Sequence, residues 1–217
     1  QGHLWEFAAK AGHNDEHHNH NDCGNFILNI DGVRIITEIG APEYVKDFFS
    51  SKRYEFLAAR TLGHSLPVIN GCEQEAGKSF ASRIVTHSLA KDNVEFIVDA
   101  SACYPDAAGC LKFVRSFNFD KISGALSIKD DFELSRIESL ESAFITIHPV
   151  SQRENYAVIN AGNLELILRP EVGTMLDRIE THSYQDHGGK EASIQRLVFK
   201  PESPACKMSL GVKLTLF

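Results

Sequence analysis

Along most of the chain, apolar and polar residues alternate in short runs, and turn residues interrupt the runs at close intervals. The clearest pair is Phe26-Ile-Leu-Asn-Ile30 and Val33-Arg-Ile-Ile-Thr37, separated by Asp31-Gly32. Asp-Gly accepts the positive φ angles of a tight turn whose twist matches that of the flanking strands, so the pattern predicts a hairpin. In the simplest register Ile30 faces Val33, Leu28 faces Ile35 and Phe26 faces Thr37, while Ile27 and Ile36 point to the other side. Both faces are apolar, as expected of a strand pair buried inside a two-layer structure.

The same rhythm predicts strands at Ser82–Ser88, Val94–Val98, Leu111–Phe117, Ala125–Ile128, Ala143–His148, Tyr156–Ile159, Leu164–Leu168, Gln195–Phe199 and Lys207–Phe217. Lys91-Asp-Asn93, Pro105-Asp106, Gly162-Asn163 and Gly188-Gly189 punctuate them as turns. Residues 41–62 read differently, as a long excursion with helical turns, and long loops in compact domains are often functional. Residues 1–22 read as polar and His-rich. Many short strands with frequent turns and no long amphipathic helix give an all-β fold, a two-layer antiparallel β-sandwich with one long, partly helical loop. With no repeat or linker evident, residues 1–217 are expected to form a single domain.

Composition narrows the function. A formal net charge of -7 disfavours nucleic acid as a partner. No apolar run is long enough to span a bilayer, so no membrane partner is expected. The five cysteines are widely spaced and lack any CxxC pair, which argues against a finger-type zinc site. Reduced thiols are the favoured reading, with a Cys103–Cys110 disulfide as the alternative. The chain opens on Gln1 with no leader, so it is expected to be part of a larger protein.

The densest chemistry lies in Gly12-His-Asn-Asp-Glu-His-His-Asn-His-Asn-Asp-Cys-Gly24, where His13, His17, His18 and His20 fall within eight residues. In an extended chain His18, His20 and Asp22 share one face, and Asn19 and Asn21 share the other. Two imidazoles and a carboxylate on one face suit metal binding or proton transfer. The competing reading is a solvated polar loop.

This stretch, from Lys10 through Leu28, resembles the signature of the heparinase II/III-like family of polysaccharide lyases. The likeness continues through Ile35-Ile-Thr-Glu-Ile-Gly40, Arg53-Tyr54 and Arg60-Thr-Leu-Gly-His-Ser-Leu-Pro-Val-Ile-Asn-Gly-Cys-Glu-Gln74, and more loosely through Asp99–Tyr104 and Arg115. The resemblance implies the C-terminal β-sandwich of an enzyme whose N-terminal α/α toroid lies outside this sequence. It implies β-elimination on uronic-acid glycans such as heparin, heparan sulfate or alginate, in a periplasmic or secreted bacterial setting. The toroid would supply a Tyr base, so this portion alone is expected to be inactive.

Carried over residue by residue, the resemblance makes His18 catalytic and His20, Glu38 and His64 the ligands of a structural metal, zinc being the natural ion for such a set. Glu38 stands where the family more often has Asp. Glu16, Asn19 and Tyr54 are candidate substrate contacts, with Arg53 beside Tyr54. Tyr104 and Arg115 read as structural, and His87, His148, His182 and His187 as isolated. The simple hairpin opposes the ligand set, because it places Glu38 opposite Asn25 on the face away from His20. A bulge near Cys23-Gly24 would restore the parity. Two other readings remain open: a non-catalytic carbohydrate-binding or scaffold domain, and a cupin-type metal enzyme, whose ligand spacing is absent.

Overall fold

The computed structural model describes residues 2–217. Its strands are β1 (Trp5–Ala9), β2 (His13–Asn14), β3 (Phe26–Ile30), β4 (Val33–Ile36), β5 (Val68–Ile69), β6 (Gly77–Ala81), β7 (Arg83–Leu89), β8 (Asn93–Asp99), β9 (Cys110–Asp120), β10 (Ala125–Leu134), β11 (Leu140–Thr146), β12 (Val150–Gln152), β13 (Ala157–Ala161), β14 (Leu164–Pro170), β15 (Thr174–Gln185), β16 (Glu191–Pro201) and β17 (Lys207–Leu216). One layer is an eight-stranded antiparallel sheet in the order β12-β13-β14-β17-β10-β9-β8-β7. The other combines the four-stranded β15-β16-β11-β5 with the three-stranded β1-β3-β4. These two meet where Thr37 N donates to Ile145 O at 3.1 Å. The expected all-β sandwich is observed. The excursion at 41–62 carries only short 3₁₀ turns, at Lys46–Phe49, Arg53–Glu55, Leu57–Ala59 and Thr61–Gly63. Among the described residues no helix is long and apolar enough to cross a membrane.

Alternation builds the core. Phe26, Leu28 and Ile30 from β3 meet Phe117 of β9, Leu126 and Ile128 of β10, and Leu197 and Phe199 of β16 in one buried cluster. A second cluster, around Phe113, Phe132 and Tyr104, lies under the His-rich loop and includes Cys23 and Cys103. All five cysteines are free.

The inward face also holds a charge pair. Arg115 stands opposite Asp130 in the β9–β10 ladder, flanked by Phe113 and Phe117 on its own strand. Its guanidinium grips the carboxylate through two bonds of 2.7 Å. Ser142 Oγ donates to the same carboxylate at 2.8 Å, and Arg115 Nη1 donates to the carbonyls of Gly24 and Ser65. A buried ion pair is tolerable only when its remaining donors and acceptors are satisfied, as they are here. Arg115 thereby fastens two loops to the core. Tyr104 likewise spends its hydroxyl on Pro67 O, at 2.7 Å.

The structure departs from the simple strand reading in several places, and the short strands β2, β5, β6 and β12 were not anticipated. Leu28 faces Ile36, not Ile35, because the ladder shifts between Leu28 and Asn29. Ile35 is the extra residue, and both it and Ile36 are fully buried. The bulge that changes the parity of the hairpin is therefore on β4, not at Cys23-Gly24. β1 runs through a segment read as polar, pairing Trp5 with Ile30 and Phe7 with Leu28. β15 was also missed. Its outer face carries Arg178, Glu180 and His182 at alternate positions, and ion pairs to Glu141 and Arg196 replace the apolar signal.

Candidate functional site

The His-rich segment is a loop clamped at both ends. Lys10 N donates to Asn25 O at 2.9 Å and Gly24 N to Lys10 O at 2.8 Å. Within the loop β2 pairs with β6. Buried Gln74 threads it from behind: its side chain accepts from Cys23 N at 3.0 Å and donates to Cys23 O at 2.7 Å. Asn14 and Asn21 donate to the side chain and the carbonyl of Gln74.

The extended reading of this loop fails at His18. Asn19 N closes a turn onto Glu16 O at 3.1 Å, and His18 has φ 57°. A left-handed residue breaks the two-residue period, so His18, His20 and Asp22 do not share a strand face. Such a conformation is uncommon outside glycine and tends to persist where the surroundings enforce it. His18 faces solvent, whereas His20 turns inward and Asp22 bonds Lys10 Nζ at 2.5 Å. Exposed Glu16 lies 3.8 Å from the same ammonium.

His20, Glu38 and His64 converge, with one ligand atom from each lying within 4.8 Å of the others. His64 is fully buried, and its Nε2 lies 3.1 Å from Ala58 O. A carbonyl only accepts, so Nε2 carries the hydrogen and Nδ1 is left facing Glu38 Oε2 at 3.0 Å. Asn25 Nδ2 approaches the same nitrogen at 3.4 Å. Burial disfavours a charged His64, but the Glu38 carboxylate overrides burial and raises its pKa. His20 goes the other way. Burial first, then the charge of His64, pull it down to about 4, leaving a neutral imidazole whose Nδ1 is 3.9 Å from Glu38 Oε1. Two imidazole nitrogens and a carboxylate, one imidazole oriented by a backbone carbonyl, are a donor set that fits a divalent ion such as zinc.

The chain matches the family model described as "Heparinase II/III-like, C-terminal" over residues 1–213. It belongs to that family. It is also similar to the solved structure of the heparan sulfate lyase HepC from Pedobacter heparinus, with a TM-score of 0.78 at 17% identity, covering 97% of this chain and 33% of that one. A heparinase III structure, the BT4657 gene product, gives a TM-score of 0.74 at 14% identity, covering 97% of this chain and 32% of that one. No curated protein sequence matches significantly. This heparinase II/III-like domain thus spans about a third of the length of either structure.

The remaining sequence candidates are scattered. Asn19 is buried; its Nδ2 bonds His20 O at 3.3 Å, and its carbonyl accepts from Arg53 Nη2 at 2.5 Å. Its side chain therefore braces the loop. Tyr54 is half-buried in the second 3₁₀ turn and makes no side-chain hydrogen bond among the described residues. The aromatic ring beside His18 is instead Tyr44, at 5.9 Å between centroids.

Sequence reasoning also missed Asn25. Its Nδ2 donates to Glu38 Oε2 at 2.8 Å, and its Oδ1 accepts from Ser65 N at 2.9 Å. One amide thus holds the candidate ligand Glu38 and the residue after His64. A buried polar side chain starting an apolar strand was the available signal.

Proposed function

We propose that the protein of which this domain is part cleaves uronic-acid polysaccharides by β-elimination, with His18 as this domain's catalytic contribution. The observation that carries the reading is the position of His18: it is exposed on a left-handed turn, two residues before His20 of the His20–Glu38–His64 cluster, in a domain of the heparinase II/III-like family. The named activity of the structural relative HepC, a heparan sulfate lyase, favours an anionic glycosaminoglycan as substrate.

β-Elimination removes a weakly acidic proton next to a carboxylate, so donors must hold the charge that develops on the substrate. An exposed imidazole can donate to that charge or exchange a proton with the leaving oxygen. Its turn is held by Asn19, whose carbonyl is gripped by Arg53 and whose amide bonds the next backbone carbonyl. Zinc would be held by His20, Glu38 and His64. When bound, it would supply a fixed positive charge that ties the His20 end of the loop to Glu38 and His64. The polypeptide outside this sequence, expected to be an α/α toroid, would supply the base and the rest of the cleft, in a periplasmic or secreted protein.

A panel of heparin, heparan sulfate, chondroitin sulfate and alginate offered to the full-length protein tests this reading. New absorbance from an unsaturated uronate on at least one polymer is the expected result. Its absence from all of them, with the protein folded, would overturn the proposal.

A further inference from the structure

Three separate segments meet to hold aromatic surface open beside His18. Tyr44 comes from the excursion, and its ring contacts His18 at 5.9 Å, His187 edge-on at 4.8 Å and Phe49 edge-on at 5.3 Å. Beneath it, Phe48 stacks at 5.5 Å and is itself buried. Arg53 lies over Phe48 at 4.3 Å and passes on to Asn19 O, one residue from His18. His187, at the tip of the β15–β16 hairpin, is steadied by Pro42 O at 3.2 Å from its Nδ1. The foundation is thus well fixed. Yet Tyr44 remains 45% exposed and Phe49 58% exposed.

Two neighbouring aromatic rings, supported from beneath and exposed beside a candidate catalytic imidazole, offer a platform on which a ligand ring can stack. We infer that Tyr44 and Phe49 form a sugar-stacking subsite, which takes the pyranose ring adjoining the one presented to His18. An aromatic face is electron-rich, so it attracts the C–H face of a pyranose and repels a carboxylate. The ring it receives is therefore the uronate's neighbour, a ring that itself carries no carboxylate. That chemistry fits a glycan in which uronate alternates with another sugar better than a pure polyuronate.

The inference rests on the lyase reading, and its test separates the two. In the full-length protein, kcat and KM are measured on a heparan sulfate oligosaccharide for Tyr44→Ala, Phe49→Ala, Tyr44→Phe and His18→Ala, with calorimetric binding of the same oligosaccharide alongside. Tyr44→Ala and Phe49→Ala are expected to raise KM and weaken binding on the order of tenfold, with kcat little changed. Tyr44→Phe keeps the ring and is expected to behave as wild type. Unchanged KM and binding in Tyr44→Ala would overturn the subsite even if His18→Ala abolishes turnover. A fall in kcat together with a lowered melting temperature would overturn it in favour of an interdomain contact. Turnover that survives His18→Ala would contradict the catalytic reading and leave the binding measurement to decide the subsite.

Discussion

Arg115 and Asp130 face each other across the β9–β10 ladder in the centre of the core, joined by two bonds of 2.7 Å, and neither is accessible to solvent beyond a trace. The same guanidinium reaches the carbonyls of Gly24 and Ser65, the residues that lead into Asn25 and follow His64. The packing of the sandwich and the posture of the candidate site are therefore one structure.

Removing one member of that pair leaves a buried charge without its partner. Asp130→Ala is expected to lower unfolding free energy by about 3–5 kcal/mol. Denaturant titration followed by intrinsic fluorescence measures this. A loss below about 1 kcal/mol would mean that the pair is hydrated and does not anchor the loops.

Zinc added to metal-stripped protein is expected to bind at about one ion per chain and to raise the melting temperature, because an ion that binds only the folded state stabilises it by mass action. His64→Ala should abolish both effects, since the loop then loses its buried, pre-oriented ligand. Elemental analysis after dialysis and a melting curve with and without chelator are the readouts. Full zinc retention in His64→Ala would remove this residue from the ligand set.

Acid should weaken the outer face of β15. Partial burial pushes Glu180 upward, but hydrogen bonds from His182 and Arg178 and the charge of Arg196 hold its pKa at about 2, below the ordinary 4.5. A carboxylate depressed in the folded state adds stability above its unfolded pKa and loses it as pH falls. That contribution is therefore complete above about pH 4.5 and disappears as the pH falls toward about 2. Glu180→Gln should be less stable than wild type at neutral pH and should lose stability less steeply over that window. Equal slopes for the two proteins would contradict the assignment.

The hairpin at Asp31-Gly32 and most of the strands were legible in the sequence because their signals are local: a turn dipeptide and an alternation of period two. The bulge at Ile35 was not, since Ile35 and Ile36 are both apolar and either register buries an isoleucine. β15 was hidden because its outward charges are balanced by partners on β11 and β16, distant in sequence. The His-rich loop announced itself by composition, but the left-handed turn at His18 did not. That turn depends on Asn19, Arg53 and the core behind them, so the strand geometry drawn for His18, His20 and Asp22 was wrong while the meeting of His20 with Glu38 and His64 is present. Tyr44 and Asn25 act through contacts that only the fold creates.

The most direct test of the account is turnover and zinc content measured together on full-length His18→Ala. The account predicts that zinc is retained, because His18 is not among the ligands, while unsaturated-uronate production is lost. Turnover at the wild-type rate in that variant would contradict the role given to His18.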